Sequence, residues 1–329
     1  MINVLCEQLI SKQPQTMLDY LLMLKQESFK VAIVGLGKVG TTTAYALLLS
    51  GNITDLVLFS REKEKAESER LDLEHGSPFY NRVTITATDN YQDFKEVDLT
   101  IITAGCAQKK GDTRLDLARI NCNIIAEIIP RIVQHAPQSL VMLVSNPVDI
   151  LTYRAVKLAN LPQGRVFGSG TLLDTARFRV HLSKSLNVNP TSIHAYILGE
   201  HGDTSFPAIS SASIGGLPLS LYPGFSQKEV EDSYQKTKNA AYTIISGKGA
   251  TYYGIATAIT HIVKTIARDE KKIIPLSIPL TNYYGITDVS LSVPCIVGRN
   301  GVEEIIKTPL NEEEQQKLML SANSLKKHL

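Results

Sequence analysis

A histidine between two glycines is the first group in this sequence that could perform acid–base chemistry. His201 follows the apolar residues Ile197 and Leu198 within Gly199-Glu200-His201-Gly202-Asp203, so its ring can face a cleft. An imidazole titrates near neutral pH and can both donate and accept a proton. One histidine alone proves little, because most lone histidines are surface groups or satisfied core groups.

Two charged residues further up the chain are candidate partners for this histidine. Asp174 and Arg177 lie three positions apart in a predicted helix from about Leu172 to Leu186, so they share one helix face. The carboxylate could fix the imidazole tautomer, and the guanidinium suits two-point binding of a substrate carboxylate. Arg179 is five positions from Asp174, points to nearly the opposite side, and needs a different role.

A glycine-rich loop predicts a second kind of site. Gly35-Leu36-Gly37-Lys38-Val39-Gly40 follows an apolar strand, Val31 to Val34, and opens a helical run. Gly35 permits the turn, Gly37 lets the backbone approach a pyrophosphate, and Gly40 lets helix and strand pack closely, while the helix N-terminus favours phosphates. This context favours dinucleotide binding over the alternative, a glycine-rich turn of structural use only.

The next strand ends without the acidic residue that usually binds the adenosine ribose. Asp55 to Phe59 is followed by Ser60 and Arg61, and a small hydroxyl residue beside an arginine could accept the extra phosphate of NADP. Alternatively, Arg61 only begins a surface helix. The sequence therefore predicts NAD as cofactor and leaves NADP open.

A polar loop, Gln108 to Arg114, lies between the strand end near Thr103 and a helix that runs from about Arg114 to His135. Open α/β sheets carry their ligand loops at such positions. Arg114 could swing over a substrate carbonyl as the loop closes. The alternative is a loop of solvated charges.

Short apolar runs alternate with helical ones in the first half, as expected of β-α-β units. After Asn146-Pro147 the pattern changes to mixed helices and strands, with a last helix capped by Asn311. The predicted fold class is α/β, a doubly wound parallel (Rossmann) sheet followed by an α+β substrate domain. The predicted division is an N-terminal arm at 1–28, a dinucleotide-binding domain at 29–170 and a substrate domain at 171–329.

Charge and composition exclude several classes of function. The 329 residues contain 34 Lys and Arg against 32 Asp and Glu, a net charge of +2, which is too balanced for a broad nucleic-acid or membrane surface. The 4 cysteines lack the close pairs of metal sites, and no apolar run reaches the roughly 18 residues of a membrane span. No secretory signal is evident, so a cytoplasmic location is expected.

Taken together, the ordered motifs resemble those of the L-lactate and malate dehydrogenase family over about Phe29 to Lys327, most closely its bacterial allosteric L-lactate type. The segments that carry the resemblance are Gly35–Gly40, Leu71–Gly76, Gln108–Leu115, Val144–Asp149, Gly168–Arg179, Gly199–Asp203 and Gly249–Gly254. Ser60 departs from the family pattern and leaves the choice between NAD and NADP open.

The resemblance implies a role for each candidate residue. His201 would be the proton donor and acceptor, Asp174 would orient it, Arg177 would bind the substrate carboxylate, and Arg114 would polarise the ketone. The remaining implied positions are Asn146 and Thr251 in the substrate pocket and, for the cofactor, Gly35, Gly37, Val39, Gly40, Ser60, Arg61, Asn146 and Ile255.

Gln108 decides the implied substrate, because family members that act on malate carry arginine there to bind a second carboxylate. A neutral amide favours pyruvate and L-lactate, since an unpaired buried charge is costly. Arg179 and His194 match the positions that bind fructose 1,6-bisphosphate in a homotetramer of the allosteric type. The alternatives are a malate or other 2-hydroxy-acid dehydrogenase, and a non-catalytic dinucleotide-binding protein, which would have lost a catalytic group.

Overall fold

The computed structural model describes residues 28–106 and 114–329, and side chains at the start of the helix that begins at Arg114 are described from residue 117. Within these residues, six parallel strands lie side by side in the order β3-β2-β1-β4-β5-β6. They are β1 (Lys30–Val34), β2 (Asp55–Phe59), β3 (Thr84–Thr88), β4 (Leu99–Ile102), β5 (Leu140–Leu143) and β6 (Val166–Gly168). The predicted doubly wound sheet is therefore confirmed.

The central strand shows why the sheet forms. Val31 and Ile33 of β1 belong to the apolar cluster on one face, and Ala32 and Val34 belong to the cluster on the other. A parallel sheet covered by helices on both faces requires such an unbroken apolar run.

Eight α-helices are present in the described part of the chain. They are α1 (Lys38–Ser50), α2 (Lys63–His75), α3 (Arg114–His135), α4 (Val148–Ala159), α5 (Leu172–Leu186), α6 (Gln227–Lys248), α7 (Tyr253–Ala267) and α8 (Glu312–Lys326). Helices α1 and α7 contribute to one apolar cluster, and α3 and α4 to the other. The predicted cap of α8 is confirmed, because the Asn311 side chain accepts from the N–H of Glu314 at 2.9 Å.

Strands from the second half of the chain extend the parallel sheet. β10 (Lys272–Pro279), β11 (Ser290–Gly298) and β12 (Gly301–Ile305) pair antiparallel, and β10 joins β6 at Ser277 and Gly168. A separate antiparallel sheet contains β7 (Ile193–Leu198), β8 (Phe206–Ile214) and β9 (Leu217–Pro218). Helix α5 packs against it through Phe178 and Leu182. The α+β character of this half is confirmed, while the boundary after residue 170 stays a prediction.

Two further findings concern the described residues only. None of their helices has the length and apolarity needed to cross a bilayer. They also contain no group of three or more His, Cys, Asp and Glu residues that could hold a metal ion. The predicted N-terminal arm lies outside the described residues except for Ser28.

Candidate active site

His201 is positioned by a turn at the end of β7. Gly199 has φ +90°, and an added Cβ there would lie 2.5 Å from the Oγ of Ser321. Its N–H donates to the Ser292 carbonyl at 3.1 Å, and its carbonyl accepts from Ser292 N–H at 2.9 Å. Only glycine adopts this left-handed backbone at so close an approach. The turn leaves the His201 side chain 28% exposed.

Helix α5 is attached to the same strand end by its first turn. Thr171 Oγ1 donates to the Ile197 carbonyl at 2.5 Å, and Thr175 Oγ1 accepts from the Ile197 N–H at 3.0 Å. These two hydroxyls satisfy both backbone groups of one buried residue. They also fix the helix so that Asp174 lies beside His201.

The structure brings His201, Asp174 and Arg177 together. Asp174 Oδ2 lies 2.6 Å from Nδ1 of the His201 ring, and Asp174 Oδ1 accepts from Nη1 of Arg177 at 3.1 Å. The side chains of Asp174 and Arg177 are 15% and 14% exposed. The shared helix face that the spacing predicts is confirmed. Because Asp174 occupies Nδ1, proton exchange with a ligand falls to Nε2.

The carboxylates around the imidazole favour its protonated form. Burial lowers the pKa of His201, but the charge and hydrogen bond of Asp174, together with the charge of Asp149, raise it to about 9. Burial raises the pKa of Asp174, yet His201 and Arg177 lower it further, so it lies below its usual range. At neutral pH the site therefore holds an imidazolium paired with a carboxylate.

The glycine-rich loop has the geometry of a phosphate cradle. Gly35 has φ +102°, and an added Cβ would lie 2.5 Å from Ala104 N, while a Cβ on Gly40 would lie 2.0 Å from the Gly35 carbonyl oxygen. Gly37 caps α1 and has open space beside it, and the first turn of α1 has no acidic residue. Val39 packs on the core behind the loop. A dinucleotide pyrophosphate fits this open helix N-terminus.

Ser60 and Arg61 follow the end of β2, as predicted. The Ser60 N–H donates to the Thr88 carbonyl at 3.1 Å, and its hydroxyl accepts from the Glu62 N–H at 3.2 Å. Arg61 is exposed and precedes α2, which begins at Lys63.

The other predicted pocket residues follow β5 or lie around the start of α7. Asn146 follows β5, and its carbonyl accepts from Nδ2 of Asn121 at 2.7 Å. Thr251 lies between α6 and α7, and Ile255 on α7 packs against the core. No hydrogen bond recorded among the described residues joins Asn146 or Thr251 to His201. Gln108 lies outside the described residues, and so does the side chain of Arg114.

Arg179 lies away from this constellation, as its helix position predicts. Its Nε donates to the Ala195 carbonyl at 2.9 Å, and its guanidinium lies 5.2 Å from the centre of the Tyr196 ring. His194 is exposed one residue before Ala195, and alternating burial along β7 places it on the same side as Tyr196.

Sequence reasoning missed a cationic group near the phosphate cradle. Nζ of Lys248 lies 3.5 Å from the centre of the Tyr252 ring and 3.8 Å from that of Tyr253. Lys38, in the glycine-rich loop, has its Nζ 6.0 Å from the Tyr252 ring. The contacts of Lys248 with the two tyrosines are local, whereas the approach of Lys38 to Tyr252 joins distant parts of the chain and follows from no spacing rule.

A dinucleotide cradle at the end of β1 and an imidazole–carboxylate–guanidinium group at the end of β7 define an NAD-dependent dehydrogenase of 2-hydroxy acids. The lactate/malate dehydrogenase NAD-binding domain model matches residues 29–168, and the model of the α/β C-terminal domain of the same proteins matches 171–329. The chain belongs to the lactate/malate dehydrogenase family.

Individual relatives agree with this assignment. An L-lactate dehydrogenase of Thermoanaerobacterium saccharolyticum is 47% identical over 89% of this chain and 96% of its own length. One of Clostridium botulinum is 44% identical over 93% of this chain and 97% of its own. The crystal structure of a minor L-lactate dehydrogenase from Enterococcus mundtii matches with a TM-score of 0.88 and 41% identity, covering 92% of this chain and 97% of that one.

Proposed function

We propose that this enzyme interconverts pyruvate and L-lactate. The observation that carries the proposal is the 2.6 Å contact of His201 with Asp174, which in turn bonds Arg177. The names of the relatives above support lactate as the product. Gln108 supports pyruvate over oxaloacetate, because a neutral amide offers no partner for a second carboxylate.

Each group of the site has a defined part in the proposed reaction. When bound, the reduced nicotinamide cofactor supplies a hydride to the carbonyl carbon. Negative charge then develops on the carbonyl oxygen, and His201 delivers a proton to it from Nε2. Asp174 holds the ring and stabilises its charge, while Arg177 binds the substrate carboxylate through its guanidinium. In the reverse direction neutral His201 removes the hydroxyl proton of lactate.

Four further residues complete the proposed site on the strength of the family resemblance. Arg114 polarises the carbonyl and stabilises its developing charge. Asn146 and Thr251 line the substrate pocket, and Ile255 packs against the nicotinamide. The cytoplasmic location that the sequence favours is part of the same proposal.

We propose that the cofactor site, formed by Gly35, Gly37, Val39, Gly40, Ser60 and Arg61, accepts both NADH and NADPH. Its support is the end of β2, where Ser60 presents a hydroxyl and exposed Arg61 offers a cation. An aspartate there would repel a ribose phosphate, whereas a guanidinium attracts one.

One assay tests substrate and cofactor together. Reduction of pyruvate and of oxaloacetate is measured with NADH and with NADPH. We expect kcat/KM for pyruvate to exceed that for oxaloacetate by about 100-fold, because the additional carboxylate is left unpaired. NADPH should support kcat/KM within about tenfold of NADH. Faster oxaloacetate reduction would make the enzyme a malate dehydrogenase, and NADH binding without turnover would make it a non-catalytic binding protein. A strong preference for NADH would contradict only the cofactor proposal.

We propose that fructose 1,6-bisphosphate activates the enzyme through Arg179 and His194. The bond of Arg179 Nε to the Ala195 carbonyl and its contact with Tyr196 hold the guanidinium against β7, the strand that carries His194. Burial lowers the pKa of Arg179, but a guanidinium stays charged at neutral pH and can bind a phosphate.

The proposed assembly is a homotetramer. Tyr45 and Leu49, one turn apart on α1, are each 55% exposed. Their apolar side chains could form part of a subunit contact.

Activation has its own test. The bisphosphate should lower the half-saturating pyruvate concentration by about tenfold, the size of a typical coupling between two sites. Arg179→Ala should abolish the response, whereas Lys184→Ala, which removes an exposed cation from the same helix, should retain it. Half-saturation curves with and without the bisphosphate at pH 6 and 7 give the answer. A flat response of the unaltered protein at both values contradicts the proposal.

A further inference from the structure

A second buried carboxylate contacts His201 from behind. Asp149, in the first turn of α4, is 3% exposed. Its Oδ2 accepts from the main-chain N–H of His201 at 2.7 Å, and its Oδ1 accepts from the hydroxyl of Ser277 at 2.6 Å. The carboxylate thus links three parts of the chain, which are helix α4, strand β10 and the segment that follows β7. The proposed steps above use none of these contacts.

The surroundings of Asp149 are unusual for a structural carboxylate. Within the described part of the chain, no lysine or arginine forms an ion pair with it, although a buried charge is costly without a partner. Burial raises the pKa of Asp149 to about 6, and the negative charge of Glu200 acts in the same sense. The Ser277 hydroxyl, the His201 N–H and the positive His201 ring act in the opposite sense. The positive charge of the His201 ring therefore stabilises the ionised form of Asp149.

We propose that Asp149 is a positioning residue for His201, whose main chain it holds through the N–H and whose protonated ring it stabilises as a second negative charge. This inference rests on the proposed function, in which His201 is the proton donor.

The charges that face His201 explain why a second carboxylate matters. From α5, Asp174 contributes a negative charge and Arg177 a positive one, so these two nearly cancel. Asp149 then leaves one excess negative charge, and the imidazolium brings this group of four to neutrality. Glu200, the preceding residue, is buried, and its negative charge acts on Asp149. Among the charges that act on the ring, loss of Asp149 would leave Asp174 alone to balance both Arg177 and the protonated imidazole.

A titration of the ring tests the charge effect without any substrate. The full chain is labelled with ¹³C in its histidine rings, and the His201 signal is assigned by its loss in His201→Gln. Asp149→Asn should lower the pKa of His201 by about one unit, the effect of removing one nearby charge. Asp232→Asn is the matched control. It removes an exposed carboxylate on α6 by the same chemical change, so the His201 titration should stay in place.

The pH dependence of turnover provides the second readout. Pyruvate reduction needs the protonated ring and falls as pH rises through the His201 pKa, whereas lactate oxidation needs the neutral ring and rises there. In Asp149→Asn, the fall in pyruvate reduction and the rise in lactate oxidation should both move to lower pH by the same amount, about one unit. Asp149→Ser, also uncharged, should show the same shift if the asparagine variant does not fold.

The outcomes separate this inference from the proposed function. If Asp149→Asn or Asp149→Ser folds and the pKa of His201 is unchanged, the inference is overturned, even if turnover falls. A residue with only a structural role would lower the rates of pyruvate reduction and lactate oxidation without moving their pH profiles. An unaltered protein that reduces no 2-oxo acid overturns the proposed function. The ring titration would still decide the effect of Asp149 on His201 in that case.

Discussion

Asp174→Asn should lower kcat for pyruvate reduction by about 10³-fold, because an amide cannot stabilise the charged ring that donates the proton. Asp174 lies 2.6 Å from the ring and bonds Arg177 at 3.1 Å. Asparagine keeps the shape of the side chain, but its N–H₂ group would face either the His201 ring or the Arg177 guanidinium, which are both donors. The expected loss comes from charge and tautomer together.

The pH profile identifies the cause of that loss. Asp174 raises the pKa of His201, so its removal lowers that pKa and moves the alkaline limb of pyruvate reduction to lower pH. Lactate oxidation, which uses the neutral ring, should be less impaired at pH 7. Asp232→Asn, an exposed aspartate on α6, is the matched control and should behave as the unaltered protein.

A double variant makes the test sharper. If Asp174 acts through His201, adding His201→Gln to Asp174→Asn should cost little more than the larger single change. Additive losses would mean that Asp174 acts independently of the histidine. Thermal unfolding and NADH fluorescence show that each variant is folded and still binds the cofactor.

Periodicity was sufficient for the elements with a strong local pattern. Helix α3 begins at Arg114 and ends at His135, as its spacing of apolar residues predicts, and β2 spans Asp55–Phe59 as predicted. Helix α4 was missed, although Leu151, Ala155 and Ala159 are buried at helical spacing along it. Strand β6 was missed because it has three residues and owes its place to β5 and β10.

The site divides in the same way between local and distant contacts. Asp174 and Arg177 are three residues apart, so helix geometry alone placed them on one face. Asp149 is 52 residues from His201 and 128 from Ser277, and its contacts join α4 to the segment after β7 and to β10. No spacing rule links residues at such separations, so the second carboxylate required the structure.

Arg177→Leu should raise KM for pyruvate by about 100-fold and lower kcat/KM further, because the substrate carboxylate loses its two-point partner. Lysine at the same position keeps the charge but loses the planar pair of donors, so Arg177→Lys should recover part of the loss. Lys184→Leu, which removes an exposed cation from the same helix, should leave both constants unchanged. Steady-state kinetics with pyruvate at saturating NADH measure these effects.

The sign of the pH shift distinguishes the two halves of the ion pair. Arg177 lowers the pKa of His201, whereas Asp174 raises it. Arg177→Leu should therefore move the alkaline limb of pyruvate reduction to higher pH, and Asp174→Asn should move it to lower pH. Shifts in the same direction would contradict the proposed electrostatics even if both variants lost activity. Opposite shifts, with NADH binding intact, would show that Asp174 couples substrate binding by Arg177 to proton transfer by His201.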